Sequence, residues 1–427
     1  DAPFDAGLPD ADVDAGVTVE RSTLAAGASH TCALRGDLLR CWGNNDAGQL
    51  GQETTKTIGA LPGEVAGLPP IALGTTVPPR MLALGRAHSC VVFADGKLKC
   101  WGDNAQGQLG IGDRKNRGSE VGTMGAALPY VDLVLPVAQV VAGADHTCVL
   151  LLSGQVKCWG ANESGQLGQG DLEARGGAPG TVPKIIPPID LGPGRTVRML
   201  AAGGAKTCAV LDDQTAKCWG SNSDGQLGQG SGKPAIGGAP GEMGAALPPI
   251  ALGPGVGVAR ILAGGRHVCA RLTTAGIKCW GANDLGQLGY GDRVPRGASP
   301  ADMGAALGDV KRPSGGLSTA SIGSTFGCLV YQAGPTLCWG DNASGQLGRG
   351  NVAILDNVPD TSVDLGLVGV AGPGEIAAGE KHVCVSVSGN VKCWGNNDFG
   401  QLGLGDTRTR GDEPGEMGPS LPYVPLP

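Results

Sequence analysis

Aromatic residues are scarce in this 427-residue chain, at 4%, while glycine reaches 77 and proline 30. Such a composition turns often and favours short strands over long helices. No apolar run approaches the roughly 18–20 residues of a membrane-spanning helix, so no membrane span is expected. The chain begins at Asp1 without an initiator Met, and any targeting segment is expected to have been removed or never included. An excess of positive charge is also lacking. The net charge is −7, and residues 1–16 hold five aspartates and no basic residue, so the remainder is close to neutral. A near-neutral body lacks the basic footprint that neutralises phosphates, which argues against nucleic acid as a partner. Catalytic signatures are missing too: no Gly-x-Ser-x-Gly elbow, no phosphate-binding loop and no His-Glu-x-x-His occurs. No enzyme and no cofactor are expected.

What the chain has is one unit written seven times. Cys-Trp-Gly begins at Cys41, Cys100, Cys158, Cys218, Cys279, Cys338 and Cys393, at intervals of 55 to 61 residues. All the tryptophans sit in it: Trp42, Trp101, Trp159, Trp219, Trp280, Trp339 and Trp394. Each is followed by Gly-Gln-Leu-Gly, starting at Gly48, Gly107, Gly165, Gly225, Gly286, Gly345 and Gly400. A period of this length is the mark of a repeat architecture.

Within each unit the pattern predicts strands. "PPIALG" (69–74 and 248–253) and "YVDLVL" (130–135) are short and aliphatic, bounded by Pro or Gly. "MLALGRAHSCVVF" reads as a second strand with a bend at its glycine, and "VKCWG" as a third. With a fourth short strand near Gln-Leu, the unit is a four-stranded blade. Leu421-Pro422-Tyr423-Val424 repeats Leu128-Pro129-Tyr130-Val131, while the first unit lacks a preceding Leu-Pro segment. The C-terminus is therefore expected to supply the strand missing from the first blade. The predicted fold is all-β, a seven-bladed β-propeller over 17–427 closed by its C-terminal strand, after an acidic tail at 1–16.

The fourteen cysteines fall two per unit: Cys32/Cys41, Cys90/Cys100, Cys148/Cys158, Cys208/Cys218, Cys269/Cys279, Cys328/Cys338 and Cys384/Cys393. Around Leu152-Ser153-Gly154 a three-residue hairpin loop sets Cys148 opposite Cys158, with Gly154 in the left-handed position. The nine-residue spacings fit two-residue turns at Gly36-Asp37 and Ser388-Gly389. Directly opposite residues lie roughly 4.5–5.5 Å apart, within disulfide reach, so seven cross-strand disulfides are predicted. They imply an oxidising compartment: the cell surface, the exterior or the periplasm.

A metal site competes for the same residues. His30, His88, His146, His267 and His382 each stand two places before the first cysteine, on one face of a strand. Lys206 and Phe326 replace the histidine in the other two units, which a structural metal would not tolerate, so no metal is predicted and the histidines are read as packed residues between blades. The tryptophans are read as inter-blade packing, the Asn and Gly-Gln-Leu-Gly run as turn chemistry with Leu plugging the interface. Arg410-Gly411-Asp412 spells an adhesion tripeptide but is a connector variant, and the connectors read as solvated loops held by local ion pairs. Asp10, Asp12 and Asp14 are spaced like the start of a calcium loop without its downstream Glu, so the tail is read as an acidic linker.

"HTCALRGDLLRCWGNNDAGQLGQ" and its six copies resemble the repeat of the regulator of chromosome condensation family, whose members are seven-bladed propellers. The resemblance covers 17–427. It departs from the eukaryotic pattern in the paired cysteines and the long Arg-Gly to Leu-Gly connector, and is similar to cysteine-bearing exported bacterial members. The resemblance and the cysteines together imply a non-catalytic exported propeller, structural, self-assembling or binding, at a bacterial cell surface. The alternative is an inhibitor or partner-binding propeller using one ring face. Guanine nucleotide exchange, the family's eukaryotic activity, is least favoured, because cytosolic GTPases and seven disulfides do not share a compartment. Two partners are expected: a surface protein, and copies of the chain itself through its tail, where Phe4, Leu8 and Val13 are the only large apolar anchors for docking.

Overall fold

A computed structural model describes residues 22–332, 335–366 and 374–427. Seven antiparallel sheets follow one another along the chain, each built from strands consecutive in sequence. Their middle strands are His30–Arg35, His88–Phe93, His146–Leu151, Lys206–Leu211, His267–Leu272, Phe326–Tyr331 and His382–Val387. In the second unit the segment 81–93 is not one bent strand. It forms two, Pro79–Leu84 and His88–Phe93, because Gly85 lies in the turn between them and its N–H donates to His88 O at 2.9 Å. The third strand, Leu98–Gly102, carries Cys-Trp-Gly.

Among the described residues six sheets have three strands, and the fourth, which adds Ala235–Ile236, has four. Near Gln-Leu no fourth strand forms among the described residues, and Gln49-Leu50 and their counterparts lie in a turn. Beyond the third strand the other six sheets have two separate contacts. One is an isolated bridge such as Gly102 with Arg117. The other is a single bond from the proline-flanked segment, such as Ile71 N to Leu39 O at 2.8 Å or Val131 N to Leu98 O at 2.9 Å. Thus 69–74, 130–135 and 248–253 run beside the third strand without forming a ladder. Pro69-Pro70, Pro129 and Pro248-Pro249 have no N–H to donate, so the pairing cannot continue on the N-terminal side of these bonds.

That placement also corrects the expected closure. The segment lies on the sheet of its own unit, so the first unit lacks nothing. Val424 N donates to Val391 O, in the last sheet, at 2.8 Å. Its side chain is buried with Leu24, Ala33 and Trp42 of the first unit. The C-terminus is thus a wedge between the last and first sheets and not a strand of the first.

The hairpin turns follow the cysteine spacing. Leu152-Ser153-Gly154 forms the three-residue loop, with Gly154 at φ 78°, and Gly36-Asp37 the two-residue turn. In the fourth unit the left-handed position belongs to Gln214, at φ 66°. A side chain there costs roughly 1–2 kcal/mol in the left-handed region. Gln214→Gly is expected to stabilise the protein by about 1 kcal/mol, since added unfolded-state freedom offsets part of the relief. Equilibrium denaturation measures it, and an unchanged or lowered midpoint would contradict the strain.

Candidate binding surface

Each cysteine pair sits directly opposite across the middle and third strands, with Cα atoms 4.0–4.1 Å apart, and all seven are bonded. This is closer than an ordinary opposite pair. The cysteines leave no thiolate for a metal, and among the described residues no cysteine is free.

The neighbouring residues of the motif tie units together. Every tryptophan is buried, and its indole N–H donates to the Gln carbonyl of the preceding unit's Gly-Gln-Leu-Gly: Trp101 to Gln49, Trp159 to Gln108, Trp219 to Gln166, Trp280 to Gln226, Trp339 to Gln287 and Trp394 to Gln346, at 3.0–3.1 Å. The seventh bond, Trp42 to Gln401 at 3.0 Å, joins the first unit to the last. The adjoining Leu packs on the same ring, as Leu50 does with Trp101 in one apolar cluster.

The histidines complete these seams. His88 Nε2 meets Thr147 Oγ1 of the next unit at 3.0 Å, and that hydroxyl donates to the Gln108 carbonyl at 2.9 Å. His30 with Ser89, His146 with Thr207 and His382 with Thr31 repeat this. Burial pushes all the histidines down, His30, His146 and His267 to about 3, and His88 and His382 to about 4. Lys206 takes the histidine place in the fourth unit and donates to the Gly264 and Gly265 carbonyls. Burial lowers it to about 7, which nearby Asp224 partly opposes.

Two roles were hidden in residues whose chemistry the sequence pattern left as turns or left unassigned. Asn104 donates to the Asp113 and Lys115 carbonyls and accepts from Leu109 N, so it organises the whole loop. The residue before Cys-Trp-Gly is a buried cation in six units. Lys99 Nζ reaches Leu73 O at 2.8 Å and Gly125 O at 3.1 Å, anchoring the proline-flanked segment to the next connector. Their recurrence at one place in the repeat was the available signal.

The first strands of all seven sheets border one cavity of about 380 Å3, at Leu24, Met81, Gln139, Met199, Arg260, Thr319 and Glu375. A second mouth, about 360 Å3, is bordered by the turns before the middle strands, from Ala28 and Arg86 to Ser324 and Glu380. Loops following Trp-Gly gather at this second mouth, since Asp103 N donates to Ala87 O. Arg86 and Glu380 are the charged residues that border this mouth. The Trp-Gly loops beside it carry Asp46, Asp103, Glu163, Asp284 and Asp398, while Arg86 holds Asp145 at 2.7 Å and Arg266 holds Asp224 at 2.7 Å and Asp284 at 3.2 Å. Farther out the connectors hold internal ion pairs, Arg117 with Asp113, Arg175 with Asp171, Arg296 with Asp292 and Arg410 with Asp406, all at 2.6–2.7 Å. Arg410 of the adhesion-like tripeptide is thereby buried and committed. Phe4, Leu8, Val13 and the acidic tail lie outside the described residues.

Known proteins share this repeat and its geometry. Residues 7–372 match the model of the RCC1-like domain, and 375–401 that of the regulator of chromosome condensation (RCC1) repeat. The ultraviolet-B receptor UVR8 of Arabidopsis thaliana is 27% identical over 404 residues, covering 91% of this chain and 79% of the receptor. The human E3 ubiquitin-protein ligase HERC2 is 31% identical over 398 residues, 90% of this chain but 7% of the ligase. Prp20p of Saccharomyces cerevisiae, studied for its binding to Gsp1p and histones, superimposes with a TM-score of 0.66 at 18% identity, covering 96% of this chain and 88% of that one. Human WBSCR16 does so with a TM-score of 0.66 at 20% identity, covering 86% of each chain. With repeat, seams and family model in agreement over most of its length, the chain belongs to the RCC1-like domain family.

Proposed function

We propose that the seven sheets close into a seven-bladed ring that serves as a non-catalytic protein-binding module outside the reducing cytosol. The seam bond between Trp42 and Gln401 supports closure, because it repeats between last and first units what the other six seams do. The seven disulfides support an oxidising location, at the cell surface, in the exterior or in the periplasm.

The observation that carries the binding role is the set of carboxylates on the Trp-Gly loops beside one channel mouth, Asp46, Asp103, Glu163 and Asp398. Loops on a rigid scaffold are the usual seat of recognition, and a face of one sign steers an oppositely charged partner. The partner is accordingly a protein with a basic surface. The histone and Gsp1p binding of the yeast relative agrees with a protein partner.

A Lys/Arg-rich peptide is the probe, measured by calorimetry at low and physiological salt. Binding is expected to weaken with salt, and Asp103→Lys with Glu163→Lys and Asp398→Lys is expected to lower affinity at least tenfold. Unchanged affinity in the triple variant would overturn the assignment of this face.

A further inference from the structure

One seam of the molecule already holds an arginine between two of the Trp-Gly loops. Arg266 stands just before the histidine of the fifth unit. Its Nη2 and Nε donate to Asp224 of the fourth unit at 2.7 and 3.1 Å, and its Nη1 donates to Asp284 of its own unit at 3.2 Å. Three bonds set the two loops against each other. Asp224 N donates to Gln226 Oε1 at 2.8 Å, Trp280 Nε1 to Gln226 O at 3.1 Å and Ala282 N to Arg266 O at 3.0 Å.

The seam between the last and first units has the same three bonds without the arginine. Phe399 N donates to Gln401 Oε1 at 2.9 Å, Trp42 Nε1 to Gln401 O at 3.0 Å and Asn44 N to Ser29 O at 2.8 Å. Ser29 therefore holds the place of Arg266, Asp46 that of Asp284, and Phe399 that of Asp224. At the other seams the place of Phe399 is taken by Ala47, Gln106, Ser164, Leu285 or Ser344, so only here does an aromatic ring join a carboxylate.

Both groups are exposed, Phe399 by 38%. Among the described residues Asp46 has no ion pair, and its carboxylate accepts from Asn44 Nδ2 at 2.9 Å. No cation lies over the Phe399 ring among those residues. Glu380 adds an exposed carboxylate, since its N–H donates to Ala28 O, next to Ser29, at 3.4 Å. Lys381, which holds the place of Arg266 in the seventh unit, belongs to the seam before this one. A guanidinium can lay its plane on a ring and donate from its edge to a carboxylate, which a compact ammonium cannot do.

We infer that the seam between the seventh and first units is a subsite for one arginine side chain of the basic partner. Its guanidinium lies against Phe399 and donates to Asp46, as Arg266 donates to Asp284. The inference rests on the acidic face being the binding face, and it names the side chain that face selects.

Hexa-arginine and hexalysine, equal in charge, are the probes, measured by calorimetry on the oxidised protein. Hexa-arginine is expected to bind more tightly. Phe399→Leu copies Leu285 of the fifth unit, so the variant is expected to fold. It is expected to weaken hexa-arginine about two- to fivefold, the worth of an exposed cation–π contact, and to remove the preference over hexalysine. Ser29→Arg supplies the missing arginine from the chain itself, and Ala205→Arg adds the same charge at the same place in another seam. Ser29→Arg is expected to weaken hexa-arginine more than Ala205→Arg does. Equal affinity of the parent for both peptides overturns the subsite and leaves the acidic face standing. So does a preference that survives Phe399→Leu, or equal effects of the two added arginines. If neither peptide binds, the face and the subsite fall together.

Discussion

Acidification from neutral pH is expected to unfold this protein well before its carboxylates protonate. All five histidines are fully buried and neutral, held at about 3 to 4 against an ordinary value of 6.5. Unfolded histidines take up protons below 6.5, whereas folded ones do not until about 3 to 4. The folded state is therefore fully favoured above 6.5 and loses stability as pH falls through that window. Each histidine contributes a loss of about 1.4 kcal/mol per pH unit. Asp171 and Asp292, held low by Arg175 and Arg296, add their loss below the ordinary carboxylate value. Lys206, lowered by burial to about 7 from 10.5, extends the trend upward, so stability also rises from about 7 toward 10.5.

Denaturant midpoints across pH measure this. The natural control is the seam between the sixth and seventh units, where Phe326 and Val383 stand in place of His and hydroxyl. His146→Phe with Thr207→Val copies it, and the slope between 6.5 and 4 is expected to shrink by one proton. An unchanged slope would mean that His146 does not titrate with unfolding.

Reduction is expected to be as severe. Each disulfide closes a loop with a sequence separation of 9 or 10. In the chain-entropy model such a loop contributes roughly 2–3 kcal/mol. Seven together, on the order of 15–20 kcal/mol if additive, exceed the roughly 5–15 kcal/mol of ordinary net stability. The fully reduced chain is expected to be unfolded under native conditions. Because the cysteines are almost entirely buried, reductant is expected to act slowly on the folded protein and quickly in denaturant. Mass spectrometry under non-reducing conditions is expected to show one hydrogen lost per cysteine, with pairing only within units. A reduced protein that keeps its near-UV circular dichroism would show that the sheets hold without their bridges.

The cysteine pairs are legible in the sequence because they are local. Spacings of nine and ten residues select two- and three-residue turns, and the turn alone sets Cys148 against Cys158. The proline-flanked segments mislead because their aliphatic composition fits a strand, while each makes a single backbone bond to the third strand and the prolines before it, without an N–H, add none. The C-terminal Leu421-Pro422 does correspond to Leu128-Pro129, but each copy lies on its own unit's sheet, so the first unit has no gap for it to fill.

The sequence by itself determined the number of units, their phase, the turn in each hairpin and the cysteines that face each other. These depend on covalent spacing over about ten residues and on side-chain alternation along a strand. Only the tertiary structure decided that each tryptophan bonds the Gln of the unit before it and that Thr147 connects His88 to Gln108. Those contacts join residues roughly 40 to 60 positions apart within the repeat period. They exist because neighbouring sheets are set at one relative orientation, which follows from how two faces pack and is written in neither repeat alone.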